Sequence, residues 1–503
     1  MRIFHRSPSA TGRLALALWL TLLCNPHHTN AAGQMPPDTA TVLPPEVTRA
    51  LNAAGLPPGQ FAVAVQAVDA AAPRLLHNAA RPMNPASVMK LVTTYAALEK
   101  LGPAYTWKTE LRGDNAPRDG HLEGNLYLVG SGDPALTLER FWLLLRQLRD
   151  RAEVRQIGGD LVADRRAYRL PPFDPAAFDN EPLRAYNVNA DAALVNYSAL
   201  RFTLVPDLAA GSVRLVQEVP QEGLAVNARI APGAGECGDW REKLTVRFDP
   251  AGKRLDIGGT FPLVCGEKPL HLAPLAGDAY LAGLFRPLWR ELGGQFAGQV
   301  REGPAPVGGV PLLRWESPSL AEIVRDTNKY SSNVMARHLF LALADTPAGE
   351  AATLAGARQG LRQVLAEKGL SFPELAVENG SGLSRDDRIA ARSLLQLLLA
   401  AWKSPVMPEF VASLPLAGRD GTLKRRFGNG SSAGRAHLKT GSIEGVRAWA
   451  GYVTDAGGRR WALVALAGGP KAGAAWGPVE ALLEWVASQS PTPQAAPGTP
   501  LSN

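Results

Sequence analysis

Asn84-Pro85-Ala86-Ser87-Val88-Met89-Lys90-Leu91-Val92-Thr93-Thr94-Tyr95-Ala96-Ala97-Leu98-Glu99-Lys100-Leu101-Gly102-Pro103 has the marks of a buried helix with chemistry at its start. Asn84 is placed to cap it, Pro85 suits the first helical position, and Gly102-Pro103 ends the apolar run. Ser87 then falls in the first turn, where free amides and the positive end of the helix dipole favour a developing negative charge on the serine oxygen. Lys90, three residues on, shares its face. A lysine serves as a base only when neutral, which requires burial or a neighbouring cation. Val88, Met89, Leu91 and Val92 supply the apolar wall. Taken alone, Ser-x-x-Lys also describes an ordinary helix whose serine and lysine face water.

Two more strings follow in order. Ser331-Ser332-Asn333 lies between an amphipathic stretch opened by Ser317-Pro318 and an apolar helix expected from Val334. Ser331 and Asn333 alternate on that connection, so both can point into one cleft. There a hydroxyl can relay a proton to a leaving amine and a carboxamide can grip a peptide. A plain helix cap by Ser331 or Ser332 is the competing explanation. Lys439-Thr440-Gly441-Ser442 precedes an antiparallel pattern, Val446 to Val453, a turn at Thr454 to Gly458, then Arg460 to Leu466. On a strand bordering a cleft, Lys439 offers charge to a carboxylate, Thr440 and Ser442 offer hydroxyls, and Gly441 admits a substrate backbone. A hairpin edge with a solvated lysine would carry the same string.

With these three strings the chain resembles the penicillin-recognising serine enzymes, and more narrowly the class C low-molecular-mass penicillin-binding proteins, the D-alanyl-D-alanine carboxypeptidase and endopeptidase family. The segments Gly124 to Pro134, Glu378-Asn379-Gly380-Ser381-Gly382-Leu383-Ser384-Arg385 and Leu414 to Leu423 are similar to segments of that family, and the likeness runs from about Pro45 to about Ser488. It departs at Ser332 and Asn379, where the family often has Asp.

The resemblance implies an α/β (α+β) fold: a β-lactamase/transpeptidase-like domain with an antiparallel sheet flanked by helices, plus a large, mainly β insertion forming two extra domains. Ser87 and Ser331 are 244 residues apart, which agrees with an insertion. The expected division is a catalytic domain from 42–105 and 300–488, with 106–299 inserted. Within the latter, short β-rich runs recur at Gly124 to Val129, Ala199 to Val205, Ser212 to Glu218, Lys243 to Phe248 and Arg254 to Gly258.

The implied chemistry is acyl transfer on peptidoglycan peptides ending in D-Ala-D-Ala, or on D-Ala cross-links. Ser87, Lys90 and Ser331 are its catalytic residues. Asn333, Lys439, Thr440, Gly441 and Ser442 bind substrate, and the amides of Ser87 and Ser442 form an oxyanion hole. β-Lactam antibiotics are expected to acylate Ser87, and no cofactor is required. A β-lactamase and a non-catalytic cell-wall-binding protein of the same fold remain the alternatives.

Arg2, Arg6 and Arg13 precede the apolar run Leu14 to Cys24, which reads as a secretory signal peptide ending near Ala31 and implies a periplasmic protein. That run is too short to span a bilayer, and no integral membrane anchor is expected; lipidation at Cys24 is disfavoured by the bulky Leu23. Removing three arginines and no acids takes the formal charge from +7 to +4. This mild balance, without a basic run interleaved with aromatics, argues against nucleic acid and suits an anionic wall polymer. Cys237 and Cys265 are then the remaining cysteines, and in an exported chain they are expected to form a disulfide rather than stay as thiols. The eight histidines make no metal-binding pattern. The tail at 489–503, rich in Pro, Ala, Thr and Ser, reads as disordered.

Overall fold

The computed structural model describes residues 42–347 and 350–489. The expected signal peptide and, apart from residue 489, the expected tail lie outside them.

The strand Phe61–Ala67 is an uninterrupted apolar run broken only by Gln66, and it is buried along its whole length. Such a strand needs cover on both faces. It pairs with Leu75–His77 on one side and Arg460–Gly468 on the other, so that the beginning and end of the described chain join in one sheet. The hairpin of Val446–Thr454 and Arg460–Gly468 continues it, and Ala436–Ile443 closes it as an edge strand. All five strands are antiparallel.

Phe61, Val63, Val65 and Ala67 share one core with Val47 and Leu51 of the helix Pro45–Ala54 and with Val479, Leu482 and Val486 of Trp476–Ala487. The other face meets Ala391–Lys403, whose Leu398 carbonyl accepts from the Tyr452 hydroxyl at 2.7 Å. The helix Met89–Leu101 is surrounded by Leu320–Lys329 and Asn333–Leu341, and ten of its thirteen residues are buried.

The strands between Lys108 and Glu316 pair among themselves. One mixed sheet runs Val300–Glu302, Leu161–Asp164, Leu126–Val129, Lys108–Gly113, Val310–Glu316. Two of these strands, Val300–Glu302 and Val310–Glu316, lie past residue 299, the expected end of the insertion. Two three-stranded sheets follow, Ser212–Gln217 with Leu200–Asp207 and Lys268–Leu272, and Ala225–Gly233 with Arg254–Pro262 and Leu244–Asp249. Helices Leu138–Asp150 and Gly277–Glu291 pack into the same core as these sheets through Phe141, Leu144, Leu284 and Trp289. Cys237 and Cys265 are joined in a disulfide with their Cα atoms 4.8 Å apart. Among the described residues no helix is long and apolar enough to cross a membrane.

Candidate active site

The turn carrying Ser87 is tighter than the sequence implied. Asn84 Oδ1 accepts from the Ala86 amide at 2.8 Å, but Ala86–Val88 form a 3-10 turn and the α-helix begins at Met89. Gly102 ends it as expected. Ala86 is left-handed, with φ 45°. Two glycines make room for this turn. A Cβ on Gly441 would lie 2.5 Å from the Pro85 carbonyl oxygen, and one on Gly382, at φ +78°, would lie 1.9 Å from the Ala86 oxygen.

Lys90 is fully buried, and its Nζ has three neighbours: Ser87 Oγ at 3.0 Å, Asn333 Oδ1 at 2.7 Å and the Ser381 carbonyl at 2.5 Å. Both Asn333 Oδ1 and Ser381 O can only accept. In a neutral amine they take the two N–H groups, leaving the lone pair directed at the Ser87 hydroxyl. The Asn333 carboxamide is held in that sense by its Nδ2 donating to the Tyr186 carbonyl at 3.2 Å. Burial, followed by the charges of Lys439 and Arg337, pushes the Lys90 amine well below its ordinary range, while Asp387 acts in the opposite direction.

Lys439 is also fully buried, not the solvated lysine of a plain hairpin edge. Its Nζ donates to Ser331 Oγ at 2.9 Å and to the Thr440 carbonyl at 2.7 Å, and burial lowers it to about 7. Ser331 has a left-handed backbone, φ 58°, which separates its role from that of its neighbour. Ser332 takes the cap, accepting from the Met335 amide at 3.3 Å, while Ser331 faces Lys439. Thr440 Oγ1 is 2.9 Å from Thr422 Oγ1, and Ser442, farther along the strand, is exposed opposite Arg447. The structure thus joins Ser87, Lys90 and Asn333 in one hydrogen-bonded set and Ser331, Lys439 and Thr440 in another. Among the described residues no group of three or more His, Cys, Asp or Glu could hold a metal.

Residues 45–487 match the model of the D-Ala-D-Ala carboxypeptidase 3 (S13) family. The chain belongs to this family. The "D-alanyl-D-alanine carboxypeptidase" of Actinomadura sp. (strain R39) is 31% identical over 392 residues, 73% of this chain and 70% of the relative. The Haemophilus influenzae "D-alanyl-D-alanine carboxypeptidase DacB" is 26% identical over 399 residues, 79% and 83% of the two chains. The crystal structure of H. influenzae penicillin binding protein 4 (dacB) superposes with a TM-score of 0.72 over 88% of this chain and 99% of that one, at 24% identity. The protein is accordingly a class C penicillin-binding protein and a serine D-Ala-D-Ala carboxypeptidase, and the β-lactamase and binder alternatives give way.

Several groups that shape this S13 site had no assigned part in the sequence reading. The Ser381 carbonyl is a direct partner of Lys90, and the loop carrying it is pinned from both sides. Asn379 Oδ1 accepts from the Ser381 amide at 3.0 Å and from its hydroxyl at 2.6 Å, and Thr93 Oγ1 donates to the Gly380 carbonyl at 2.7 Å. An amide oxygen performs this as well as a carboxylate would, which accounts for Asn at a position where the family often has Asp. The same holds for Ser332, since serine and aspartate both cap helices. Arg337, buried beside Lys90, donates to the Val188 carbonyl and lies 5.5 Å from the Phe173 ring. Asp387 is buried and raised to about 6 by that burial. The glycines flanking Ser381 were the available signal for the loop; a backbone carbonyl leaves no trace in side-chain identity.

Proposed function

We propose that Ser87 is the acyl-accepting nucleophile, with peptidoglycan stem peptides ending in D-Ala-D-Ala as substrate. Its Oγ attacks the carbonyl carbon between the two D-alanines as its proton passes to the Lys90 lone pair. The amides of Ser87 and Ser442 hold the oxyanion. The C–N bond then breaks, Ser331 gives its proton to the departing amine, and Ser331 is reprotonated from the Lys90 ammonium. Asn333 orients the peptide, while Lys439 and Thr440 hold the terminal carboxylate at a strand edge that Gly441 leaves open. Water releases the acyl group and restores Ser87. β-Lactams enter the first half of the cycle and stall in the second. The arginine-flanked apolar run at the N-terminus supports a periplasmic setting for this chemistry, and the expected division, with 106–299 inserted between 42–105 and 300–488, keeps all three motifs in the catalytic domain.

The observation that carries the reading is the amine of Lys90, whose two acceptor-only partners leave one direction for its lone pair, toward Ser87. Digestion of purified muropeptides followed by mass spectrometry tests it. Loss of one alanine from pentapeptides is expected with wild type and not with Ser87→Ala; no loss with wild type would refute it.

A further inference from the structure

Beside the Ser331-Ser332-Asn333 connection lies a cavity of about 760 Å³, lined on one side by Ser331, Asn333 and Asp326 and on the other by Arg184, Arg241 and His271 of the insertion. Cavities of this size hold drug-sized ligands and exceed what a single departing alanine needs. The charge on its walls is uneven. Asp326 is engaged by Arg325 at 2.9 Å, and Arg184 by Glu181 at 3.1 Å. Arg241 makes no ion pair among the described residues. Its guanidinium lies over the Trp240 ring at 4.4 Å and donates to the Pro269 carbonyl at 3.5 Å. Burial and then the charge of Arg184 depress Arg241, with Asp239 acting in the opposite direction; an anion between the two arginines would relieve their repulsion. His271, lowered by burial and by Arg201 and Arg241, is neutral at neutral pH and adds polarity without charge.

We propose that this cavity is a leaving-group subsite for peptides longer than one residue, in which Arg241 with Arg184 selects leaving peptides bearing a carboxylate beyond the released residue. The proposal rests on the role given above to Ser331. The group that protonates the departing amine marks where that group leaves, and the cavity opens from Ser331 itself. A lone D-alanine has only the carboxylate assigned to Lys439 and offers no second one to Arg241. The insertion then contributes substrate choice while the three motifs contribute the chemistry.

Two synthetic cross-linked dimers with identical acyl halves test this, one with a free carboxylate distal in the leaving peptide and one with the carboxamide there. The ratio of their kcat/KM values is measured for wild type, Arg241→Gln and Arg241→Lys, beside D-alanine release from a pentapeptide. Wild type is expected to favour the carboxylate dimer by about tenfold, Arg241→Gln to lose most of that ratio through KM, and Arg241→Lys to keep much of it, with D-alanine release unchanged. An indifferent wild type, or full discrimination in Arg241→Gln, overturns the subsite while D-alanine release leaves the active-site reading standing. A wild type inactive on all three substrates overturns both.

Discussion

The crevice and the insertion treat charge in opposite ways. Lys90 and Lys439 are fully buried, neither faces a carboxylate within ion-pair distance, and their charged forms are disfavoured. In the insertion, Arg254 pairs with Asp256 at 3.0 Å and Arg201 with Glu218 at 3.0 Å on open strand faces. Exposed pairs of this kind add little to stability, whereas burying an amine without a counter-ion costs stability. The crevice therefore keeps its two lysines at the expense of the fold, whereas these exposed pairs of the insertion carry their charges at almost no cost.

Ranked by their effect on acylation, substitutions can break or sharpen that contrast. Lys90→Met is expected to slow labelling by a fluorescent penicillin about 10⁴-fold, the upper range for a general base, while Arg254→Ala leaves the labelling rate unchanged. Equal sensitivity of the two would erase the distinction.

Lys439 comes next. Replacement by Ala is expected to lower kcat/KM for a D-Ala-D-Ala peptide about 10²-fold, mainly through KM, since a charge-assisted contact to the terminal carboxylate is lost. Its pH dependence follows from the two amines. The acid limb of kcat/KM rises as Lys90 loses its proton. The alkaline limb falls as Lys439 of the free enzyme, at about 7, loses the charge that binds carboxylate. A profile that keeps rising through pH 9 would contradict the charged role of Lys439.

Gly382→Ala probes the wall of the crevice. Its Cβ would strike the Ala86 oxygen at a backbone angle unsuited to alanine, so a loss of about 3 kcal/mol in denaturant unfolding and roughly tenfold slower acylation are expected. Among the replacements expected to destabilise the protein, the smallest effect on acylation belongs to the double replacement Cys237→Ser/Cys265→Ser. The bond spans a sequence separation of 28, and its loss should destabilise the insertion by about 2–4 kcal/mol yet keep acylation within about twofold. A large fall in labelling would show that the insertion is coupled to the chemistry.

What could be read from the sequence followed the same division. Met89–Leu101 and the final hairpin are apolar runs stopped by glycine, so their type and their ends were visible, though not the 3-10 turn that delays the helix start to Met89. The three motifs were visible because each is written in side chains. Ala225–Gly233 was not, since it is mostly exposed and lacks apolar alternation; its place is set by parallel pairing with Arg254–Pro262. Val310–Glu316 was not singled out as a strand, because its partner, Lys108–Gly113, lies about two hundred residues earlier. Within the site, the contributions of Ser381, Gly382 and Arg337 depend on contacts across similar distances, which no local pattern records.

The most direct measurement is intact-mass spectrometry of the protein after exposure to benzylpenicillin, followed by proteolysis to locate the adduct. One penicilloyl group is expected on the peptide containing Ser87, absent from Ser87→Ala and formed far more slowly in Lys90→Met. An adduct on any other residue, or equally fast acylation without the Lys90 amine, would contradict the account.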